Sequence, residues 1–143
     1  MRRFLLLPML WFVSGQAFAA TPLVEMVGQH PRVKLEHVVS GHLTELNGKY
    51  KLRVSEVTYD LQGRIGPHHH AGPGIRCVQS GSLTYTEGGS STIYNSGDCF
   101  YESGDTSHTA KNDGAVPVVL LNFELLPAGW TAGSSIPPPG SSP

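Results

Sequence analysis

The residues with the clearest chemistry in this chain are histidines. Three of them stand together in Pro67-His68-His69-His70-Ala71-Gly72-Pro73-Gly74, and a fourth, His108, lies further along. Neutral imidazole is a ligand for iron, manganese, zinc, nickel and copper. On a β-strand, successive side chains point to opposite faces. His68 and His70 then share one face, about 7 Å apart along the backbone, and His69 takes the other. Two imidazoles alone make a weak site, and His108 is the expected third ligand. The predicted cofactor is one divalent transition metal, whose identity the residues do not choose. His30, His37 and His42 have no matched spacing and read as surface residues.

Strands must carry these ligands, and the chain reads as β throughout. A run containing Val33, Leu35, Val38 and Val39 stops at Ser40-Gly41. His42 to Leu46 leads into Asn47-Gly48, a two-residue hairpin signal. Tyr50, Leu52 and Val54 alternate with Lys51, Arg53 and Ser55, which predicts one apolar face and one wet one. The apolar phase then moves to Val57 and Tyr59, which predicts a bulge. Leu83 to Thr86 and Thr92 to Tyr94 flank Glu87-Gly88-Gly89-Ser90 as a hairpin. Phe100-Tyr101 ends another strand, and Val116 to Leu126 is the last. No segment after the first twenty residues reads as a helix. Many short strands with frequent turns predict an all-β sandwich or closed barrel.

The ends have a different character. Arg2 and Arg3 precede the apolar run Phe4 to Val13, and Ala17-Phe18-Ala19 offers small residues for cleavage. This is the pattern of a secretory signal peptide over 1–19, cut after Ala19. The apolar run is too short to span a bilayer, which needs roughly twenty residues. The expected location is periplasmic or secreted, with no membrane span. Residues 20–31 read as an N-terminal arm or strand, 32–127 as one barrel domain, and 128–143 as a flexible Ser/Gly/Pro-rich tail. Loss of Arg2 and Arg3 takes the 10 basic residues to 8, against 11 acidic ones, so a nucleic-acid partner is not expected. In an oxidising compartment Cys77 and Cys99 favour a disulfide; two buried thiols are the alternative.

The histidine segments resemble the two motifs of the cupin superfamily. Gly63, His68, His70, Gly74 and Gly81 fall in the register of the first. Gly97, Ser103-Gly104-Asp105, His108 and Asn112 fall in that of the second. The spacer Ser82 to Ser96 is short, as in compact single-domain cupins, and the resemblance covers roughly Arg32 to Pro127. It implies a jelly-roll β-barrel, a metal held by His68, His70 and His108, a small-molecule ligand or substrate, and a homodimer through edge strands. Two positions depart from the pattern. Gly74 stands where the family has a glutamate ligand, and Ser103-Gly104-Asp105 stands for Pro-x-Gly. Three neutral histidines are similar to the centres of thiol dioxygenases and of a β-diketone-cleaving dioxygenase in the superfamily. The implied function is a metal-dependent dioxygenase acting on a small, anionic molecule. The alternatives are a non-enzymatic cupin that binds or senses a metal or ligand, and a metal-dependent isomerase or lyase with Glu102 as base.

Jelly-roll geometry further implies that the strands of Cys77 and Cys99 are antiparallel neighbours. If these cysteines face each other and are bonded, Arg76 pairs with Phe100 and Gly74 with Glu102. Glu102 then either offers a carboxylate to the metal in place of the missing glutamate or pairs with Arg76 as a buried ion pair. An Arg76 free of Glu102 would hold a substrate carboxylate through two parallel hydrogen bonds.

Overall fold

The computed structural model describes residues 23–140, so the expected leader and its cleavage point lie outside the described residues. Nine strands follow in order: β1 (Met26–Val38), β2 (Tyr50–His70), β3 (Gly74–Ser80), β4 (Ser82–Glu87), β5 (Ser90–Asn95), β6 (Cys99–Glu102), β7 (His108–Lys111), β8 (Val118–Pro127) and β9 (Ser135–Ile136). All pairings are antiparallel, in the order β5-β4-β7-β2-β8-β3-β6, with β1 and β9 also on β2. The long β2 makes the barrel. Its first half pairs with β8 from Tyr50↔Pro127 to Tyr59↔Val118, and its second half pairs with β7. Between the halves Gln62 adopts φ 61°, and the chain turns a corner. Two faces of one jelly roll result. Among the described residues no helix is long and apolar enough to cross a membrane.

The register stacks the interior into layers. At one end Val57, Leu120 and Val78 form one row and Tyr59 faces Val118, all buried. Ile65, Leu83, Tyr85, Phe100 and Ala110 complete this apolar core. At the other end the inward rows are polar. Ser55, Asn122 and Arg76 stand side by side, with Phe100 closing the row; Glu36, Arg53, Glu124, Gly74 and Glu102 form the next. The barrel thus has a hydrophobic floor and a charged upper half, and the histidines sit where the two meet.

Several expectations are corrected here. Lys51, Arg53 and Ser55 are the buried face of β2, while Tyr50 and Leu52 are exposed. Alternation reveals the period of a strand but not its inner side, and here the interior is polar. The alternation runs from Lys51 to Tyr59 without the expected bulge in the β2–β8 ladder. Asn47-Gly48 does not close a two-residue hairpin; residues 39–49 form a longer connection. The boundary expected between residues 31 and 32 falls inside β1. The Ser/Gly/Pro-rich segment beyond Pro127 carries structure that its composition does not announce. Ser135 and Ile136 pair with His70 and His69, and Arg53 donates hydrogen bonds to the carbonyls of Ala132 and Trp130.

Cys77 and Cys99 face each other across β3 and β6 and are bonded. Their separation of 22 residues sets the chain entropy that the crosslink removes from the unfolded state. Reduction is expected to lower the unfolding free energy by about 3 kcal/mol. Urea titrations with and without a reductant measure this, and coincident curves would show that the bond adds nothing.

Candidate metal centre

Three strand features bring the histidines together. β2 presents His68 and His70 on its inner face and leaves His69, partly exposed, on the other. β7 begins at His108, which is the direct register partner of His68. The loop before β7 is fastened to the same strand: the His70 amide donates to the Gly104 carbonyl at 2.9 Å. Gly104 has φ +94°, and a Cβ there would come within 2.7 Å of the Gly72 backbone. Only glycine combines that backbone angle with that close approach.

His68, His70 and His108 are all buried, and one ring nitrogen from each lies within 4.8 Å of the others. The Nδ1 atoms are already engaged. His68 Nδ1 lies 2.9 Å from the Gly66 carbonyl and His108 Nδ1 lies 3.1 Å from the Thr106 carbonyl. Both must therefore be N–H donors. His70 Nδ1 faces Ser134 Oγ at 3.3 Å and Glu124 Oε1 at 3.6 Å. With protons on Nδ1 of His68 and His108, their Nε2 lone pairs are left to point inward, the arrangement seen in metal-binding histidines, while the Ser134 hydroxyl can serve His70 Nδ1 as donor or acceptor.

Glu102 meets those lone pairs. Its Oε1 is 3.2 Å from His108 Nε2 and its Oε2 is 3.1 Å from His70 Nε2. At His108, whose ring proton is on Nδ1, a carboxylate oxygen and the unprotonated Nε2 repel at that distance unless a cation lies between them. The spacing also suits neighbouring donors that bind one ion through bonds of about 2.1 Å. Oε2 is buried and makes no contact of hydrogen-bond geometry, although Arg76 Nε is only 2.7 Å away. A buried oxygen with spare lone pairs is suited to a metal ion.

Arg76 explains the missing glutamate of the first motif. Its guanidinium folds back over Gly74, with Nε on Glu102 and Nη2 donating to Glu124 Oε1 at 3.2 Å. Gly74 has Glu102 on one side in the register and Glu124 on the other. A Cβ at position 74 would collide with Arg76 Nη1 and come within 2.6 Å of the Phe123 carbonyl oxygen. The position is empty because the arginine fills it. The two readings of Glu102 are therefore not exclusive: it pairs with Arg76 and faces two histidines at once. Arg76 is committed to two carboxylates and is not free to grip a substrate carboxylate.

The electrostatics follow from burial and these contacts. Burial, then the charges of His108 and His70, push His68 down to about 3. His108 is also lowered, chiefly by burial. Burial alone would raise Glu102, but its contact with His70 and the charge of Arg76 hold it at about 2. Near neutral pH His68 and His108 are therefore neutral and Glu102 is ionised, the forms that bind metal.

A cavity of about 550 Å³ opens beside the cluster. It is lined by His68 and His70, by Arg53, Glu36 and Tyr59, and by Thr131 to Ser135. A small-molecule site has this size and this mixture of apolar wall and polar groups. Of the residues that line the cavity, Arg53, Ser55, Asn122 and Glu124 are not found as site residues from the sequence. Asn122 and Glu124 do leave a signal: two polar residues at alternate positions in an otherwise apolar strand.

A jelly-roll barrel with buried, converging histidines and a ligand-sized cavity defines a class of small-molecule-binding β-barrels. Residues 55–124 match the family described as the Cupin domain. The chain belongs to the cupin superfamily. No curated protein matches its sequence. Similar solved structures include an uncharacterized protein with a double-stranded β-helix domain from Klebsiella pneumoniae. It is 19% identical, with a TM-score of 0.56, over 76% of this chain and 84% of that one. The polyketide cyclase RemF of Streptomyces resistomycificus is 13% identical, TM-score 0.56, over 78% and 72%. KdgF from a Halomonas species is 18% identical, TM-score 0.53, over 77% and 94%. At these identities the likeness is one of fold.

Two outcomes are expected. Restoring the family residue by Gly74→Glu, or adding only a methyl by Gly74→Ala, should destabilise the protein by roughly 2 kcal/mol or more through overpacking. Thermal melts read this, and a wild-type Tm for the alanine variant would contradict the packing described. In metal-free protein, folding depresses the pKa of His68 below 6.5 and that of Glu102 below 4.5, so the unfolded state binds more protons. Stability should therefore fall as pH drops below about 6.5, and more steeply below about 4.5. A chelator-treated sample that melts no lower at about pH 4 than at about pH 7 would show the opposite.

Proposed function

We propose that this is an exported metal-dependent cupin that binds one divalent transition metal through His68, His70, His108 and Glu102 and acts on a small molecule held in the adjoining cavity. The observation that carries this reading is the convergence of one nitrogen each from His68, His70 and His108 within 4.8 Å, with Glu102 3.2 Å from a His108 nitrogen whose ring proton is held at Thr106. The chain loses the motif glutamate at Gly74 and offers a carboxylate from the strand paired with it. A bound metal supplies Lewis acidity and, as iron, redox chemistry with dioxygen. The protein's own residues do the rest. The carbonyls of Gly66 and Thr106 hold His68 and His108 in one tautomer, and Ser134 steadies the His70 ring. Arg76 holds Glu102 against the ligand set, and Glu124 holds Arg76. The cavity delivers the substrate to the side of His68 and His70.

The reaction class we favour is a dioxygenase-type oxidation. The open cavity beside the ligands supports a centre that meets a substrate over a purely structural ion. The isomerase or lyase reading needs Glu102 as a free base, yet its oxygens already face Arg76, His70 and His108. The leader pattern and the Cys77–Cys99 bond favour an oxidising, extracytoplasmic location.

Elemental analysis tests the centre. Protein exported and purified without added metal should carry close to one equivalent per chain. His108→Ala should carry almost none, and Glu102→Gln should bind at least about tenfold more weakly. A metal-loaded structure with both Glu102 oxygens beyond about 4 Å of the ion would remove it from the ligand set. Oxygen uptake by iron-loaded protein across small substrates tests the reaction class; turnover under strict anaerobiosis would contradict it.

A further inference from the structure

Arg76 is 2% exposed, and only part of its guanidinium is occupied. Nε faces Glu102 and Nη2 serves Glu124, but Nη1 is buried and has no partner among the described residues. Directly across the β3–β8 ladder is Asn122, whose Oδ1 is likewise buried and unpartnered. A buried donor and a buried acceptor on cross-strand partner residues are thus both left unpaired. Folded proteins rarely leave such groups unpaired, because each costs about 1–3 kcal/mol and a charged donor more.

Both side chains line a hole of about 20 Å³ that also touches His68, His108 and Glu102 on its polar side and core residues such as Leu83, Phe100 and Leu120 on its other side. Asn122, Tyr59 and His68 line the large cavity as well, so the hole adjoins the space proposed for the substrate. A volume of this size admits one oxygen atom with its hydrogens. The chemistry of that atom is constrained from both sides. It must accept from Nη1 and donate to Oδ1. A carboxylate has no proton for Oδ1. It would also put a third anion beside Glu102 and Glu124, which already outweigh the charge of Arg76. An ammonium has no lone pair for Nη1. A hydroxyl satisfies both.

We infer that Arg76 Nη1 and Asn122 Oδ1 form a recognition point for a single hydroxyl oxygen next to the metal centre. In the resting protein a fixed water holds this point, and a hydroxyl of the substrate takes its place on binding. The preferred substrate is then a hydroxylated small molecule that turns an alcohol, not a carboxylate, toward this wall. The substrate half of the inference rests on the proposed function; the hydroxyl point does not. Arg76 acts here as a specificity residue through the one donor its carboxylates leave free.

Crystals of the mature, metal-loaded protein test it, with metal content measured on the same sample. One ordered oxygen is expected within hydrogen-bond reach of both Arg76 Nη1 and Asn122 Oδ1. An empty hole, or an Asn122 amide bonded directly to Arg76, overturns the inference. An ordered oxygen in protein that takes up no metal leaves the point standing and removes the metal reading. Growth with 1,2-ethanediol separates the two sources. A diol hydroxyl replacing the water supports the substrate role; a water that stays while the diol binds elsewhere reduces the point to a structural water. Asn122→Leu should lose the ordered oxygen and retain one metal per chain. Retention of both would show that Oδ1 is not the acceptor.

Discussion

The structure depends on one arginine lying across one glycine. Arg76 brings a single positive charge between the carboxylates of Glu102 and Glu124, and all three are removed from water. Burying one charge alone would be prohibitive, and burying three is tolerable only where they compensate. Here the compensation is incomplete, because two negative charges face one positive. The cluster therefore carries a deficit of positive charge beside the three histidines that could hold a metal ion. Removing either glutamate or the arginine would upset this balance as well as a contact. The layout places a carboxylate beside three histidines although the motif position itself holds glycine.

The position of that carboxylate was legible because cysteines fix register. Once Cys77 is opposed to Cys99, counting back along both strands puts Gly74 against Glu102 and Arg76 against Phe100, as observed. The histidines were legible for a similar reason. Their spacing of two on one strand survives any error in where that strand begins. The side of β2 that faces inward was not legible. Tyr50, Leu52 and Val54 look like a core face, and in an ordinary sandwich they would be one. This barrel keeps its apolar core at the other end, around Val57, Tyr59, Val118 and Leu120, and reserves the half near Arg53 for charge. Residue types report polarity; which polarity belongs inside is decided by the cavity.

The apolar residues displaced by that choice explain the outer wall. Leu35, Val54, Phe123, Ile75 and Tyr101 follow one another in register across β1, β2, β8, β3 and β6. All but Val54 are largely exposed. They are the cost of turning Arg53, Glu124 and Glu102 inward, since each is one residue away from an outward neighbour on its own strand. Charge inside and hydrophobic rows outside are two views of the same pleat.

The covering over the cavity mouth is built differently from the barrel. Residues 128–136 supply none of the apolar core, yet Thr131 to Ser135 shape the entrance and Ser134 touches His70. Most of their attachment is through backbone carbonyls, to Arg53 and to Ala71. Backbone attachment places few demands on which side chains are present. Substitutions in this stretch can therefore accumulate over evolutionary time without endangering the scaffold. The entrance is the part of the molecule where descendants of one stable barrel can diverge most cheaply in what they admit.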